Sequence, residues 1–151
     1  MSNDADLMKL YSKRILALAA DLSHTDRLEN PDGTARRRSP LCGSTVNVDI
    51  RLSEDGRITD YGQDVKACAL GQAAASVVGK NILGLGHDDV EKAQGELKAM
   101  LKSGGPAPLA PFTELEALYP AKDFKNRHAS IMLTLDAILD AFADAEARTN
   151  A

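Results

Sequence analysis

Residues 45–67 read TVNVDIRLSEDGRITDYGQDVKA, and this stretch decides the fold class of the chain. Four apolar residues alternate with polar ones along its first half: Val46, Val48, Ile50 and Leu52. This period of two is typical of a strand that buries one face. Asp55 and Gly56 then favour a tight turn, because glycine accepts the positive φ angle that such turns need. We therefore predict that residues 58–67 form the returning strand of an antiparallel hairpin.

Helical patterns flank this hairpin on both sides. Residues 7–22 carry an apolar stripe at helical spacing, and an alanine-rich run from 67 to 78 predicts a short buried helix. Residues 88–102 begin with two aspartates and end with lysines, which suits the two ends of a helix dipole. The sequence TELE at 113–116 predicts a helix that begins with a capping box. A last apolar stripe over 131–142 predicts the final helix.

The polar residues 23–40 predict a loop with a turn at Asn30-Pro31-Asp32-Gly33 and a short strand near 35–38. The pattern as a whole predicts an α+β fold: a small antiparallel β-sheet of about three strands packed against about five helices. The length of 151 residues favours a single domain over residues 1–151.

Composition argues against nucleic acid and membranes as partners. The formal net charge is −4, the only dense basic run is Arg36-Arg37-Arg38, and three Tyr, three Phe and no Trp provide little base-stacking surface. The most apolar uncharged stretch, residues 67–78, is shorter than the roughly 20 residues that a bilayer-spanning helix needs. The first six residues include two aspartates and do not resemble a secretory signal. We expect a cytoplasmic protein whose cysteines are thiols.

The two cysteines are predicted to meet at one end of the hairpin. Cys42 precedes the first strand and Cys68 follows the second, and each lies 13 positions from Asp55. Cys68 also opens the alanine-rich helix, where backbone N–H groups and the helix dipole favour a thiolate. A thiolate is both a metal ligand and a nucleophile. Two readings remain open: a metal or sulfur site, or two buried cysteines that act as small apolar fillers.

Among the three histidines, only His128 lies where it could complete such a site. A zinc or iron site needs three or four ligands, and Cys42, Cys68 and His128 would supply three. Taken alone, a histidine at this position is more often an ordinary helix-end residue than a metal ligand. We interpret His24 as a loop residue and His87 as a helix-entry residue. No phosphate-binding loop, no HExxH motif and no close Cys-x-x-Cys pair occurs in the sequence.

Three motifs in this order resemble a known family. They are Ser39-Pro40-Leu41-Cys42-Gly43, then Ala67-Cys68 with an alanine-rich helix, then Arg127-His128-Ala129-Ser130-Ile131. The pattern resembles the iron–sulfur cluster assembly scaffold family of the IscU, SufU and NifU N-terminal type over about residues 7–143. The long interval between Cys68 and the last motif is similar to the SufU branch, whereas the histidine is similar to the IscU branch.

The resemblance implies a metal site at Cys42, Cys68 and His128, with two departures from the family pattern. Ser44 stands where the family has an aspartate, and Ala129 stands where it has a third cysteine. The implied function is a non-enzymatic scaffold or carrier for a transient 2Fe-2S iron–sulfur cluster, with zinc as the metal in the isolated protein. The implied partners are a cysteine desulfurase and acceptor apo-proteins, and a homodimer is compatible with this reading. Two alternatives stay open: a zinc-dependent sulfur relay of the SufU type, and a metal-free interaction module.

Overall fold

The computed structural model describes residues 11–40 and 43–150. In this part of the chain, three strands form one antiparallel sheet in the order β1-β2-β3; they are β1 Gly33–Arg38, β2 Thr45–Leu52 and β3 Ile58–Lys66. The α-helices are α1 Lys13–Ala19, α2 Ala69–Asn81, α3 His87–Ser103 and α4 His128–Thr149. Two 3₁₀ segments, Thr113–Asp123 and Lys125–Arg127, lead into α4. The predicted α+β fold class is confirmed.

The hairpin between β2 and β3 has the predicted turn. Gly56 has a φ of 81°, the left-handed conformation that glycine tolerates. Thr45 lies opposite Lys66 at the far end of the hairpin, and an irregularity in the pairing at Arg51 and Leu52 shifts the register by one position. The chain therefore enters β2 after residue 44 and leaves β3 at residue 67 at the same end of the hairpin.

Helix α2 runs through the middle of the helical layer. It packs against α1 and α4, and its alanines Ala73, Ala74 and Ala75 are buried. A helix that is apolar on most of its surface is expected at such a central position. Within the apolar stripe predicted over 7–22, the structure has the helix α1, in which Ile15 and Leu18 are buried. Leu7 and Leu10 lie outside the described residues.

Helix α4 joins the two layers of the fold. It packs across β1 and β2 and also contacts α2 and α3. The predicted stripe is buried at Ile131, Leu135, Ile138 and Phe142. Because α4 begins at His128, this packing brings the first turn of the helix to the same region as the start of α2.

One prediction about the sheet is corrected by the structure. The alternation in β2 implies that Asp49 faces solvent, but Asp49 is only 1% exposed. The loop before β1 covers this face: Arg27 Nε lies 2.6 Å from Asp49 Oδ2, and the Leu28 backbone N–H donates to the same oxygen. Gly62 lies opposite Asp49 in β3, and its lack of a side chain leaves room for the backbone carbonyl of Asp26. A local pattern cannot reveal a loop that covers the second face.

The prediction of a capping box at 113–116 is also wrong. Phe112 precedes the segment, and no side chain caps its start. The segment Thr113–Asp123 is 3₁₀ rather than α-helical and contains Pro120. Proline has no N–H to donate and clashes with the carbonyl of the preceding turn in an α-helix interior, so a regular α-helix is disfavoured around Pro120. Within residues 11–40 and 43–150, no helix is long and apolar enough to span a membrane.

Candidate functional site

Cys68 lies at the junction that the hairpin prediction indicated. It is the N-cap residue of α2, with an extended backbone (φ −66°, ψ 170°), and its side chain makes no capping hydrogen bond. The residue is half-buried. Its thiol is therefore close to the surface, at the positive end of α2, rather than sealed in the core.

Ser130, on the first turn of α4, contacts Cys68. Its Oγ lies 3.5 Å from Cys68 Sγ and 3.2 Å from the Oγ of Ser44. Ser44 and Ser130 are 4% and 2% exposed, so both hydroxyls are almost fully removed from water. We refer to Cys68, Ser130 and Ser44 as the Cys68 cluster. It joins the segment before β2, the start of α2 and the start of α4.

Gly71 allows α2 and α4 to come this close. A Cβ atom at position 71 would lie 2.6 Å from Ser130 Oγ and 2.9 Å from the Cβ of Ala67. Real Cβ atoms do not approach their neighbours so closely. A glycine on the first turn of α2 is thus a requirement for the contact between Ser130 and Cys68.

His128 is the first residue of α4 and is oriented by a backbone carbonyl. Its Nε2 lies 2.8 Å from the oxygen of Ala121 in the preceding 3₁₀ segment. A carbonyl oxygen can only accept, so Nε2 carries the proton, and in the neutral ring Nδ1 keeps its lone pair. If His128 is a metal ligand, Nδ1 is the atom that binds. Ala129, the next residue, lines a surface cleft together with His128.

The predicted site residues are only partly represented in the structure. Cys42 lies outside the described residues, so its role stays a prediction. In the part of the chain that the structure describes, no group of three or more His, Cys, Asp or Glu residues is arranged to hold a metal ion. The ring of His24 packs against Tyr61 and the ring of His87 packs against Phe142. A metal site with three protein ligands at Cys68 thus needs a ligand other than the His, Cys, Asp and Glu side chains of the described residues.

The sequence interpretation missed Ser130 as a site residue. Ser130 appears in the motif that carries the family resemblance, but only its neighbours His128 and Ala129 were assigned positions in the site. A signal was available, because Ser130 is a polar residue directly before the apolar stripe of α4. Its contact with Cys68 joins residues 62 positions apart, which no local pattern reveals.

Comparison with known proteins shows the family of the chain. The family model described as "NifU-like N terminal domain" matches residues 10–110, a range that includes Cys42 and Cys68 and ends before His128. The chain belongs to the NifU-like N-terminal domain family. A search of curated proteins gave no significant match.

Two solved structures place this NifU-like chain among related folds. The N-terminal part of a nitrogen-fixing NifU-like protein from Brucella abortus is 40% identical, with a TM-score of 0.90 over 95% of this chain and 99% of the other. A protein from Fervidobacterium islandicum AW-1, described as an iron–sulfur cluster assembly scaffold for the SUF system, is 19% identical, with a TM-score of 0.77 over 88% of this chain and 96% of the other. At that identity, the second similarity shows the fold alone.

Proposed function

We propose that this NifU-like chain is a scaffold or carrier that holds an iron–sulfur cluster in transit and does not itself catalyse a reaction. The observation that carries the proposal is the position of the Cys68 thiol: half-buried at the start of α2, at one end of the hairpin, and in contact with Ser130. Membership in the NifU-like family and the 40% identity with the NifU-like protein from Brucella abortus support the same role.

The proposed ligands are the thiolates of Cys42 and Cys68 and the Nδ1 atom of His128. Thiolate sulfur is a soft ligand that suits both iron–sulfur clusters and zinc. Cys42 precedes Ser44 by two positions in the sequence, and the Ser44 hydroxyl contacts Ser130, which in turn contacts Cys68. We therefore expect Cys42 to reach the Cys68 cluster. We expect a 2Fe-2S cluster as the physiological cargo and zinc as the metal in protein isolated in air.

A site of this composition favours release of its cargo. Ser44 offers a neutral hydroxyl and Ala129 offers no ligand, so the protein supplies three ligands with only two thiolates. Loss of a thiolate weakens retention and leaves a coordination position for a donor or acceptor. This is the behaviour expected of a scaffold that receives sulfur from a cysteine desulfurase and passes the cluster to acceptor apo-proteins.

The first test is the metal and acid-labile sulfide content of protein purified anaerobically, together with its visible absorption spectrum. Wild-type protein should contain iron and sulfide in near-stoichiometric amounts, and Cys42→Ser and Cys68→Ser should each lose most of both. Zinc without sulfide would instead support the zinc-dependent sulfur relay. Absence of metal from wild-type protein would overturn the scaffold proposal in favour of a metal-free interaction module.

A second test separates the ligand role of His128 from its structural role. In His128→Gln, the amide nitrogen can still donate to the Ala121 carbonyl, but the lone pair of Nδ1 is lost. We expect this variant to keep the wild-type melting temperature and to lose iron. His87→Ala is the matched control, because His87 is not a proposed ligand and its ring packs against Phe142 instead. Wild-type iron content in His128→Gln would remove His128 from the ligand set.

A further inference from the structure

A basic cleft lies beside the proposed metal site. It has a volume of about 610 Å³ and is formed by α3, the two 3₁₀ segments and the first turns of α4. Four lysines line it: Lys98 and Lys102 from α3, and Lys122 and Lys125 from the 3₁₀ segments. We call it the lysine cleft. His128 and Ala129 also line it, and the next residue, Ser130, contacts Cys68.

The charge of the lysine cleft contrasts with that of the chain. The whole protein has a formal net charge of −4, whereas the cleft has four lysines and one carboxylate, Asp136. The amide of Gln94 donates to Asp136 at 2.8 Å. Lys122 pairs with the neighbouring Asp123 at 3.3 Å, and within the described residues the other three lysines have no ion pair. The cleft therefore presents uncompensated positive charge on an acidic protein.

The floor of the lysine cleft is apolar. Leu101 from α3 and Met132 from α4 line it, with Leu101 buried and Met132 half-buried. Methionine adapts its shape to different apolar partners, because its side chain is unbranched and polarisable. An apolar floor surrounded by positive charge fits a chain segment that presents one apolar side chain among carboxylates.

The chemistry of the lining favours a peptide over a small anion. Sites for small molecules bury their ligand and fix it with a few firmly placed polar groups. Here Lys98, Lys102 and Lys125 are exposed and long, and they come from two elements, α3 and the second 3₁₀ segment, at the rim of an open cleft. Such rim charges attract and orient a partner through its overall charge.

The geometry points to the lysine cleft as the docking site for an acidic peptide segment of a partner protein, with an apolar side chain of that segment on the Leu101–Met132 floor. A segment bound there lies next to His128 and Ala129 and so holds its protein beside the Cys68 cluster. The identification of that partner as a donor or acceptor of the cluster rests on the proposed function. The docking chemistry itself does not.

The test measures binding of a fluorescein-labelled peptide of sequence Glu-Asp-Leu-Glu-Asp to metal-free protein by fluorescence anisotropy. Lys98→Glu/Lys102→Glu should weaken binding by about tenfold or more, since two attractive charges become repulsive. Lys13→Glu/Lys92→Glu makes the same change of net charge at exposed positions outside the cleft and should change affinity less than twofold. Replacing the peptide leucine by serine should also weaken binding, and higher salt should reduce affinity.

Several results would overturn the docking site. Equal losses in the two double variants would show general attraction between charges rather than a site. Equal binding of the serine peptide would remove the apolar floor from the proposal, and complete competition by citrate at peptide-like concentrations would indicate a small-anion site. Cys68→Ser should bind the peptide normally, and Lys98→Glu/Lys102→Glu should keep its iron and sulfide. Failure of the metal proposal and failure of the docking proposal are thus separate results.

Discussion

Ser44 is the residue at which this chain departs from its family resemblance inside the Cys68 cluster. Its hydroxyl lies 3.2 Å from that of Ser130, and only 4% of the residue is exposed. A neutral hydroxyl is tolerated there without a metal, because a hydrogen-bonded partner compensates for its removal from water. A carboxylate in the same place would bring a charge into a position that is almost fully removed from water, which costs more free energy than burying a hydroxyl.

We therefore predict that Ser44→Asp makes stability depend on metal. Without metal, the buried carboxylate should cost about 2 kcal/mol, or a fall in melting temperature of about 4–8 °C for a chain of this size. Because carboxylate oxygen is a zinc ligand, added zinc should raise the melting temperature more in the variant than in wild-type protein. The measurement is thermal unfolding with chelator and with zinc. Ser44→Asn has nearly the same size as Ser44→Asp without the charge, and a zinc-dependent gain in that variant as large as in Ser44→Asp would contradict the explanation.

At the scale of secondary structure elements, the candidate site depends on how closely the first turns of α2 and α4 approach. Gly71 permits this approach, and Ser130 makes the contact with Cys68 across it. The backbone oxygen of Ser130 would lie 3.2 Å from a Cβ at position 71. A rotation of the serine side chain alone therefore cannot make enough room for a methyl group, and the two helices would have to separate.

Gly71→Ala should accordingly destabilise the protein by about 1–3 kcal/mol, since overpacking outweighs the better helix propensity of alanine. Gly95→Ala is the matched control on α3, where an added Cβ would meet nothing within 4 Å. That substitution should stabilise the protein by about 0.5–1 kcal/mol. Urea unfolding of both variants tests the contrast. Equal and positive effects would show that the start of α2 is not tightly packed against α4.

At the scale of the whole molecule, the local parts of the fold could be predicted from sequence and the long-range contacts could not. The alternation in β2 and the turn at Gly56 are local properties, and both are present in the structure. The contact between Cys68 and Ser130 and the burial of Asp49 depend on segments distant in sequence. Because Cys68 directly follows the second strand, its place at one end of the hairpin could be predicted. Neither composition nor periodicity indicated what packs against it.

Asp49 links the loop before β1 to the sheet, and the ionisation of its carboxyl makes the stability of the whole fold depend on pH. Burial by itself would raise the pKa of this carboxyl. Hydrogen bonds from Arg27, Thr34 and the Leu28 N–H outweigh that effect and hold the pKa below its usual value. A carboxyl with a lowered pKa in the folded state stabilises the fold at pH values above the ordinary value of 3.8. That contribution is lost as the pH falls through the lowered value.

Asp49→Asn should therefore be less stable than wild-type protein at neutral pH, by about 2 kcal/mol, because it loses charged hydrogen bonds in a buried position. The difference should shrink as the pH falls from 3.8 towards the lowered pKa, because protons then bind the carboxyl of the unfolded chain. Once the pH is below the lowered pKa, the carboxyl of the folded wild-type protein is neutral as well. Urea unfolding across the acid range measures both effects. Glu114→Gln removes an exposed carboxylate and should follow the wild-type pH profile. A constant difference between Asp49→Asn and wild type at every pH would mean that packing, rather than the ionised carboxylate, provides the stabilisation.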